Sequence, residues 1–187
     1  MNDLEKMRHT LSHVLAAAVQ ELYPDVAFGI GPAIDNGFYY DIDFGTTKIS
    51  DTDLPKIEKK MRGIIARKLE MKKRLVSKFE ALDWARDHKQ KYKIELIDEL
   101  PEDAEISFYD LGDLFTDLCK GPHLKNTSEV GAFKLIRVAG AYWRGDEKRE
   151  MLTRIYGVAF ETEKELEEYL KRQEEAKPEI TANSARN

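Results

Sequence analysis

The sequence predicts an α+β domain in which helices pack on an antiparallel or mixed β-sheet. Three observations lead to this prediction: an amphipathic helical stretch at the start, two long extended runs near the end that can pair as a hairpin, and helical stretches segregated from the extended ones. Across the 187 residues, 42% are hydrophobic and 35% are charged, which is typical of a globular chain.

The first helix is predicted over residues 3–23. Apolar residues recur at helical spacing from Leu4 to Leu22, and Pro24 ends the pattern. Within this helix His9 and His13 are separated by four positions, so their rings lie on one face, one turn apart. Such a pair is common in helices that bind nothing. The sequence is therefore compatible with two interpretations: a pair of half-buried structural histidines, or part of a functional site.

An extended region follows the first helix. Residues 35–37, Asp-Asn-Gly, form a turn signal, and residues 38–44 are predicted to be a strand. Tyr39 and Tyr40 point to opposite faces of that strand, because successive side chains alternate. Only one of them can therefore border a site, and the alternative for either is packing in the core.

The middle of the chain is predicted to be mostly helical. A second helix is expected over residues 50–75, a short strand over 75–79, and two further helices over 81–90 and 92–100. His88 is expected to be an exposed helical residue.

Residues 51–100 include a strongly basic stretch. From Lys56 to Lys78 there are ten basic residues and two acidic ones, a local charge of +8 on a chain of net charge −5. This asymmetry indicates either a surface for phosphates or a solvated outer helix face. The composition alone does not decide between them.

The last third of the chain is predicted to be mainly strands. These are expected over residues 106–109, 114–118, 132–143 and 152–160, the last two forming the hairpin. Thr162 and Glu165 fit a capping box for a final helix that ends at Lys177, before Pro178. We therefore predict a single domain over residues 1–177 and a flexible tail over residues 178–187.

The residues that carry chemistry are concentrated in two short windows. The chain has four histidines and one cysteine, and four of these five residues form the patterns H-x-x-x-H at His9 and His13 and C-x-x-x-H at Cys119 and His123. Gly121-Pro122 predicts a loop for the second window. We predict that the two windows meet in space and form one site.

Two kinds of chemistry suit this set. Three imidazoles and a thiolate could bind tetrahedral zinc, either as a closed structural site or with a ligand displaced by water. Alternatively, a neutral histidine could accept a proton from water without a metal, which would favour hydrolysis of an activated ester. Asp117 and Lys93 could supply charge at the rim, although each alone is also typical of a surface charge.

Composition excludes several other classes. No apolar run approaches the roughly 18–20 residues that span a bilayer, and the first residues lack the apolar core of a secretory signal. A single cysteine excludes an internal disulfide framework, which suits a reducing cytoplasm.

Several motifs together resemble a known family. HTLSHVL, GIGPAIDNGFYYD, CKGPHL, AFKLIRVAGAYWRGD and MLTRIYGVAF occur in this order, and they resemble the editing domain of bacterial-type threonyl-tRNA synthetases, to which a domain of alanyl-tRNA synthetases is related. The resemblance covers roughly residues 4–176. It implies an α+β domain of the cytoplasm that hydrolyses seryl-tRNA made in error.

The resemblance also implies roles for particular residues. His9 or His13 would be the general base, and Tyr40, in the GFYYD motif, would bind the substrate. The remaining implied catalytic residues are Lys93, which would counter negative charge, Asp117, and Cys119 and His123, which would position water and the terminal adenosine. No metal is expected to be required, but zinc is possible, with His9, His13, Cys119 and His123 as its ligands.

The expected partners are a tRNA with an aminoacylated 3′ end, carrying serine as the substrate, and no membrane. The chain could be a fragment that works beside a synthetase catalytic core or a freestanding trans-editing protein, and by itself it would not aminoacylate. Two alternatives remain: a non-catalytic tRNA-binding module that uses the basic stretch, and a zinc-stabilised structural domain.

Overall fold

The predicted α+β class is confirmed. The computed structural model describes the backbone of residues 2–184 and the side chains of residues 2–176. The helices are α1 Asp3–Leu22, α2 Leu54–Ala66, α3 Lys78–Asp87, α4 Lys91–Asp98 and α5 Glu163–Ser184. The strands are β1 Ala27–Phe28, β2 Ala33–Ile34, β3 Gly37–Asp43, β4 Met71–Val76, β5 Ile106–Leu111, β6 Phe115–Leu118, β7 Ala132–Tyr142 and β8 Met151–Phe160.

The strands form two antiparallel sheets. The larger sheet has the order β1-β3-β8-β7, with β2 also paired to β3, and the smaller one has the order β4-β5-β6. The hairpin of β7 and β8 pairs Ala132 with Phe160 at one end and Tyr142 with Met151 at the other, as predicted. Tyr39 and Tyr40 lie on opposite faces of β3, also as predicted: Tyr40 is buried in the core, whereas Tyr39 stacks against Arg154.

Helix α1 is the centre of the fold. It packs against α2, β3, β2, β8 and β6, and Leu11, Leu15 and the small residues 16–18 have no exposed surface. Small side chains allow this close approach on several sides, since the core packs as densely as an organic crystal. Asn2 caps the helix by accepting a hydrogen bond from the Glu5 N–H (2.8 Å). The position of this helix buries His13, which is 2% exposed, and leaves His9 half-buried.

The second helix is shorter than predicted. It ends at Ala66, and residues 71–76 form strand β4 instead of continuing the helix to residue 75. Lys68 adopts a positive φ of 55°, which stops the helix. The predicted strand at 75–79 therefore lies earlier, at 71–76. Pairing of β4 with β5 along its whole length overrides the helical propensity of this Lys- and Arg-rich stretch.

The next helix also begins earlier than predicted. Helix α3 starts at Lys78 rather than at residue 81, because Ser77 caps it by accepting from the Glu80 N–H (3.1 Å). His88 lies at its C-terminal cap and is exposed, as predicted.

The last helix continues past Pro178 to Ser184, so its predicted end at Lys177 is wrong. A proline removes one helical N–H, and here the helix continues beyond that missing bond. The predicted tail thus begins within α5, and residues 185–187 lie outside the described residues. None of the helices in residues 2–184 combines the length and apolar character that crossing a bilayer requires.

Candidate active site

The two histidine-containing windows meet, as predicted. Helix α1 passes the loop that follows β6, and one side-chain donor atom from each of His9, His13, Cys119 and His123 lies within 4.8 Å of the others. The residues that meet are more than 100 positions apart in the chain. The site is therefore a product of the tertiary fold.

The Cys119 thiol is at the centre of this cluster. Its Sγ lies 3.3 Å from His9 Nε2 and 3.3 Å from His123 Nε2. The Gly121 N–H also donates to the sulfur, at 3.2 Å. The sulfur thus contacts one imidazole from the helix and one from its own loop.

The His9 ring is held in a defined tautomer. Its Nδ1 lies 3.0 Å from the carbonyl oxygen of Pro122, and a carbonyl can only accept, so Nδ1 must carry the proton. Nε2 then has a free lone pair directed at Cys119. His9 is therefore prepared to accept a proton at Nε2.

Thr10 holds the second ring of the cluster and was not singled out from the sequence. Its Oγ1 accepts from the Leu124 N–H (3.0 Å) and lies 3.1 Å from His123 Nδ1. Thr10 has no exposed surface. The signal that could have found it is its position three residues before His13, on the same helix face.

Three predicted residues form a second, deeper group behind the thiol. Lys93 Nζ lies 2.9 Å from Asp117 Oδ1, and the Tyr40 hydroxyl donates to Asp117 Oδ2 at 2.6 Å. Lys93 also donates to the Tyr40 oxygen (3.0 Å) and to the Gly29 carbonyl (2.7 Å). Tyr40, Lys93 and Asp117 are 1%, 3% and 3% exposed. The expectation that Lys93 and Asp117 lie at the rim, or on the surface, is therefore wrong: a buried charge needs a partner, and each is the other's.

His13 connects the two groups. Its Nε2 lies 3.4 Å from Asp117 Oδ2, and the acceptor-only carboxylate favours the tautomer with the proton on Nε2. Its Nδ1 is the one buried side-chain nitrogen or oxygen without a partner among the described residues. An unpartnered buried acceptor is costly and is often found at functional positions.

A cleft opens beside these residues. It has a volume of about 200 Å³ and is lined by His9, His13, Tyr40, Lys93, Asp117 and Cys119. Ile30, which is 45% exposed, also lines the cleft. A water occupies ~30 Å³ of liquid, so the cleft has room for a small acyl group together with water.

Burial keeps the imidazoles neutral. It lowers the pKa of His9, His13 and His123 below 6.5, because desolvation disfavours the charged ring, and for His13 and His123 the neighbouring imidazoles act in the same direction. Burial also raises the pKa of the Cys119 thiol to about 12 and raises the pKa of Tyr40. At neutral pH the site therefore contains three neutral bases and a thiol rather than a thiolate.

These lowered pKa values predict a loss of stability in mild acid. The unfolded chain binds protons at its histidines below pH 6.5, whereas the folded site binds them only at lower pH. The free energy of unfolding should therefore fall as the pH drops below 6.5, by up to about 1.4 kcal/mol per pH unit for each histidine. Urea unfolding at pH 7, 6 and 5 measures this, before carboxylates near pH 4 contribute. Equal stability at pH 7 and pH 5 would contradict it.

The same residues have the chemistry of a zinc site. One sulfur and three imidazole nitrogens form a tetrahedral-type donor set. Each histidine has its other nitrogen near a polar partner: the Pro122 carbonyl for His9, Thr10 for His123 and Asp117 for His13. Such outer partners orient metal-binding histidines. The residues present therefore fit the ion.

Comparison with known proteins agrees with the resemblance seen in the motifs. Residues 106–156 match the family model described as the threonyl and alanyl tRNA synthetase second additional domain. The chain is 56% identical over 169 residues to the threonine--tRNA ligase of Bacteroides fragilis (strain YCH46), covering 90% of this chain and 26% of that protein. It is 52% identical over 173 residues to that of Clostridium novyi (strain NT), covering 92% and 27%.

A third relative gives the same result. The threonine--tRNA ligase of Rubrobacter xylanophilus is 55% identical over 171 residues, covering 91% of this chain and 26% of that protein. The predicted resemblance is therefore confirmed. The chain spans about a quarter of the length of these relatives.

Proposed function

We propose that this chain, of which residues 106–156 match the second additional domain of threonyl and alanyl tRNA synthetases, is an aminoacyl-tRNA deacylase that hydrolyses seryl-tRNA(Thr). Its relatives are named threonine--tRNA ligases, which supports an editing or tRNA-binding role in a synthetase. The proposal adds the reaction and the substrate. It applies equally to a segment of a synthetase and to a freestanding protein.

One observation carries the proposal. The lone pair of His9 Nε2, fixed by the bond from Nδ1 to Pro122, borders a cleft that also contains a buried lysine and a buried carboxylate. A neutral base, a positive charge and space for water are what attack on an ester carbonyl requires. A domain that only bound tRNA would have no need of a neutral imidazole cluster at the end of a cleft.

The substrate follows from the limits of binding discrimination. Serine lacks one methyl group of threonine, and a pocket can distinguish one such group by only about 1–3 kcal/mol. A synthetase for threonine therefore charges some tRNA with serine. A second cleft that admits serine and excludes the larger side chain by collision removes this product.

In the proposed step, His9 Nε2 accepts a proton as the water oxygen bonds to the ester carbonyl carbon. The negative charge that develops on the carbonyl oxygen lies in a cleft bordered by Lys93. The bond from the carbonyl carbon to the ribose oxygen then breaks, and that oxygen takes the proton. Cys119 and His123 hold the water and the adenosine hydroxyl. The thiol stays protonated, because burial raises its pKa to about 12, so no covalent intermediate on sulfur is required.

The decisive experiment compares the deacylation of seryl-tRNA(Thr) and threonyl-tRNA(Thr) by the purified chain, with and without a chelator. We expect serine to be released at least tenfold faster than threonine, with or without the chelator. If neither tRNA lost its amino acid faster than in the uncatalysed reaction, the deacylase proposal would be refuted and a tRNA-binding module would remain. The uncatalysed hydrolysis of each ester is the control.

Zinc binding is a second candidate, favoured by the outer partner of each site histidine. A bound ion would supply a Lewis acid or a cross-link between α1 and the loop that follows β6. Elemental analysis of the purified chain and thermal unfolding with and without a chelator test this directly. One zinc per chain, together with a lower melting temperature in chelator, would support a zinc domain. A chain purified without zinc, whose melting temperature is the same with and without chelator, would exclude it.

A further inference from the structure

A basic groove lies between α1 and α2, outside the candidate active site. It has a volume of about 410 Å³ and is lined by Lys56, Lys59, Lys60 and Arg67 from the α2 side and by Glu21 from α1. The buried stripe of α2, which includes Ile57 and Met61, packs into the core. The four cations therefore belong to the opposite, exposed part of this helix and its C-terminal cap.

The groove has an excess of positive charge. Lys60 Nζ lies 2.8 Å from a Glu21 carboxylate oxygen, and Arg67 lies 4.0 Å from the other. One carboxylate thus faces four cations, which leaves a local charge of about +3. This occurs on a chain whose net charge is −5, so the excess is local.

The half of the basic stretch that forms strand β4 differs in that most of its cations are in ion pairs. On strand β4, Lys72 pairs with Glu70 (3.1 Å) and Arg74 with Asp110 (2.5 Å). The fold therefore divides the basic stretch into a strand whose charges are largely paired and a helix whose charges converge on a groove. Among the described residues of the basic stretch, the excess of positive charge in a concave surface lies on the helical half.

Gly63 provides an independent indication that something approaches the groove. It lies in the last turn of α2 and lines the groove. Outside the backbone of its own helix and its two chain neighbours, no described atom lies within 4 Å of a Cβ built on Gly63, so no described neighbour requires a glycine there. Glycine destabilises a helix interior relative to alanine, and it is typical of places where a ligand approaches the backbone closely.

We propose that this groove binds the phosphate backbone of RNA, holding the tRNA while its 3′ end lies in the active cleft. Closely spaced cations and an unobstructed backbone suit a row of phosphates, which a single small anion would not fill. Glu21 follows His13 by eight residues on α1, about 12 Å along the helix axis. One RNA strand can therefore reach from the basic groove to the active cleft. The identity of the RNA rests on the proposed function.

Charge reversal tests the groove. The variant Lys56→Glu/Lys59→Glu should weaken equilibrium binding of uncharged tRNA(Thr) at least tenfold in low salt, and should reduce the slope of log affinity against log salt by about 2. The matched control is Lys72→Glu/Lys73→Glu, which makes the same change in net charge on β4. Equal losses in the two variants, or a loss in the control alone, would overturn the proposal.

Substitution of Gly63 separates binding from stability. Gly63→Ala and Gly63→Leu should both raise the melting temperature, by about 2–4 °C for alanine, while Gly63→Leu should weaken tRNA binding by its bulk without any change in charge. A merely structural glycine would not give higher stability together with weaker binding. Unchanged tRNA binding by the Gly63→Leu variant would contradict the proposal that RNA approaches the helix closely at this residue.

The two proposals fail in different ways. Binding of uncharged tRNA does not require ester hydrolysis, so a wild-type chain that releases serine, with groove variants that bind normally, refutes the groove alone. A wild-type chain that binds through the groove and releases no serine refutes the deacylase alone. Anionic lipid vesicles serve as a second probe: tighter binding to vesicles than to tRNA would overturn RNA as the occupant.

Discussion

Replacing His9 with alanine is expected to lower the rate constant for deacylation of seryl-tRNA(Thr) by about 10²–10⁴-fold, the usual contribution of a general base. The reason is that His9 Nε2 has the free lone pair and borders the cleft, with its tautomer fixed by Pro122. Single-turnover measurements with saturating enzyme separate this loss from weaker binding. A loss of less than threefold would remove His9 from the reaction.

The chain offers a matched control and a second signature. His88→Ala removes an exposed histidine at the end of α3, and it should leave the rate unchanged. The wild-type rate should also be flat through pH 6.5 and fall only in stronger acid, because burial lowers the pKa of His9 and the neutral ring is the active form. A half-maximal rate at or above pH 6.5 would be inconsistent with this assignment.

The largest effect on stability is expected at Lys93. Lys93→Met should lower the free energy of unfolding by about 3–5 kcal/mol, since it leaves the Asp117 carboxylate buried without its cation. Urea unfolding followed by circular dichroism measures this. The charge on Asp117 is the cause, so the double variant Lys93→Met/Asp117→Asn should recover most of the loss.

An exposed ion pair gives the comparison. Glu99→Gln removes the partner of Arg144 on the surface, where solvent screens the charges, and should change stability little. If the double variant were no more stable than Lys93→Met, packing of the lysine chain and its bonds to Gly29 and Tyr40 would be responsible. The unpaired charge of Asp117 would then not be the cause of the loss.

The sequence was sufficient where short-range patterns decide the structure. The period of the apolar residues predicted α1, and the alternation of β7 and β8 predicted the hairpin. The two histidine windows could be paired because they contain most of the chain's histidines and its one cysteine. The clustering of these residues in two short windows thus identified four members of the site.

What the sequence could not provide were features that depend on distant partners. Strand β4 reads as a continuation of a basic helix, and only its pairing with β5 makes it a strand. Lys93 and Asp117 read as surface charges, and only the fold encloses them together. In the sequence Thr10 is an ordinary helical residue, and only the fold places His123 and Leu124 beside it. The catalytic roles themselves stay predictions.

The separation between the two halves of the site has a consequence for biosynthesis. The imidazole of His9 and the sulfur of Cys119 are 110 positions apart, and translation proceeds at ~5–20 residues per second. Helix α1 is therefore synthesised roughly 5–20 seconds before the loop that completes the cluster leaves the ribosome. A nascent chain lacks the assembled cluster during that interval, so the proposed deacylation would begin only after the loop has joined the helix.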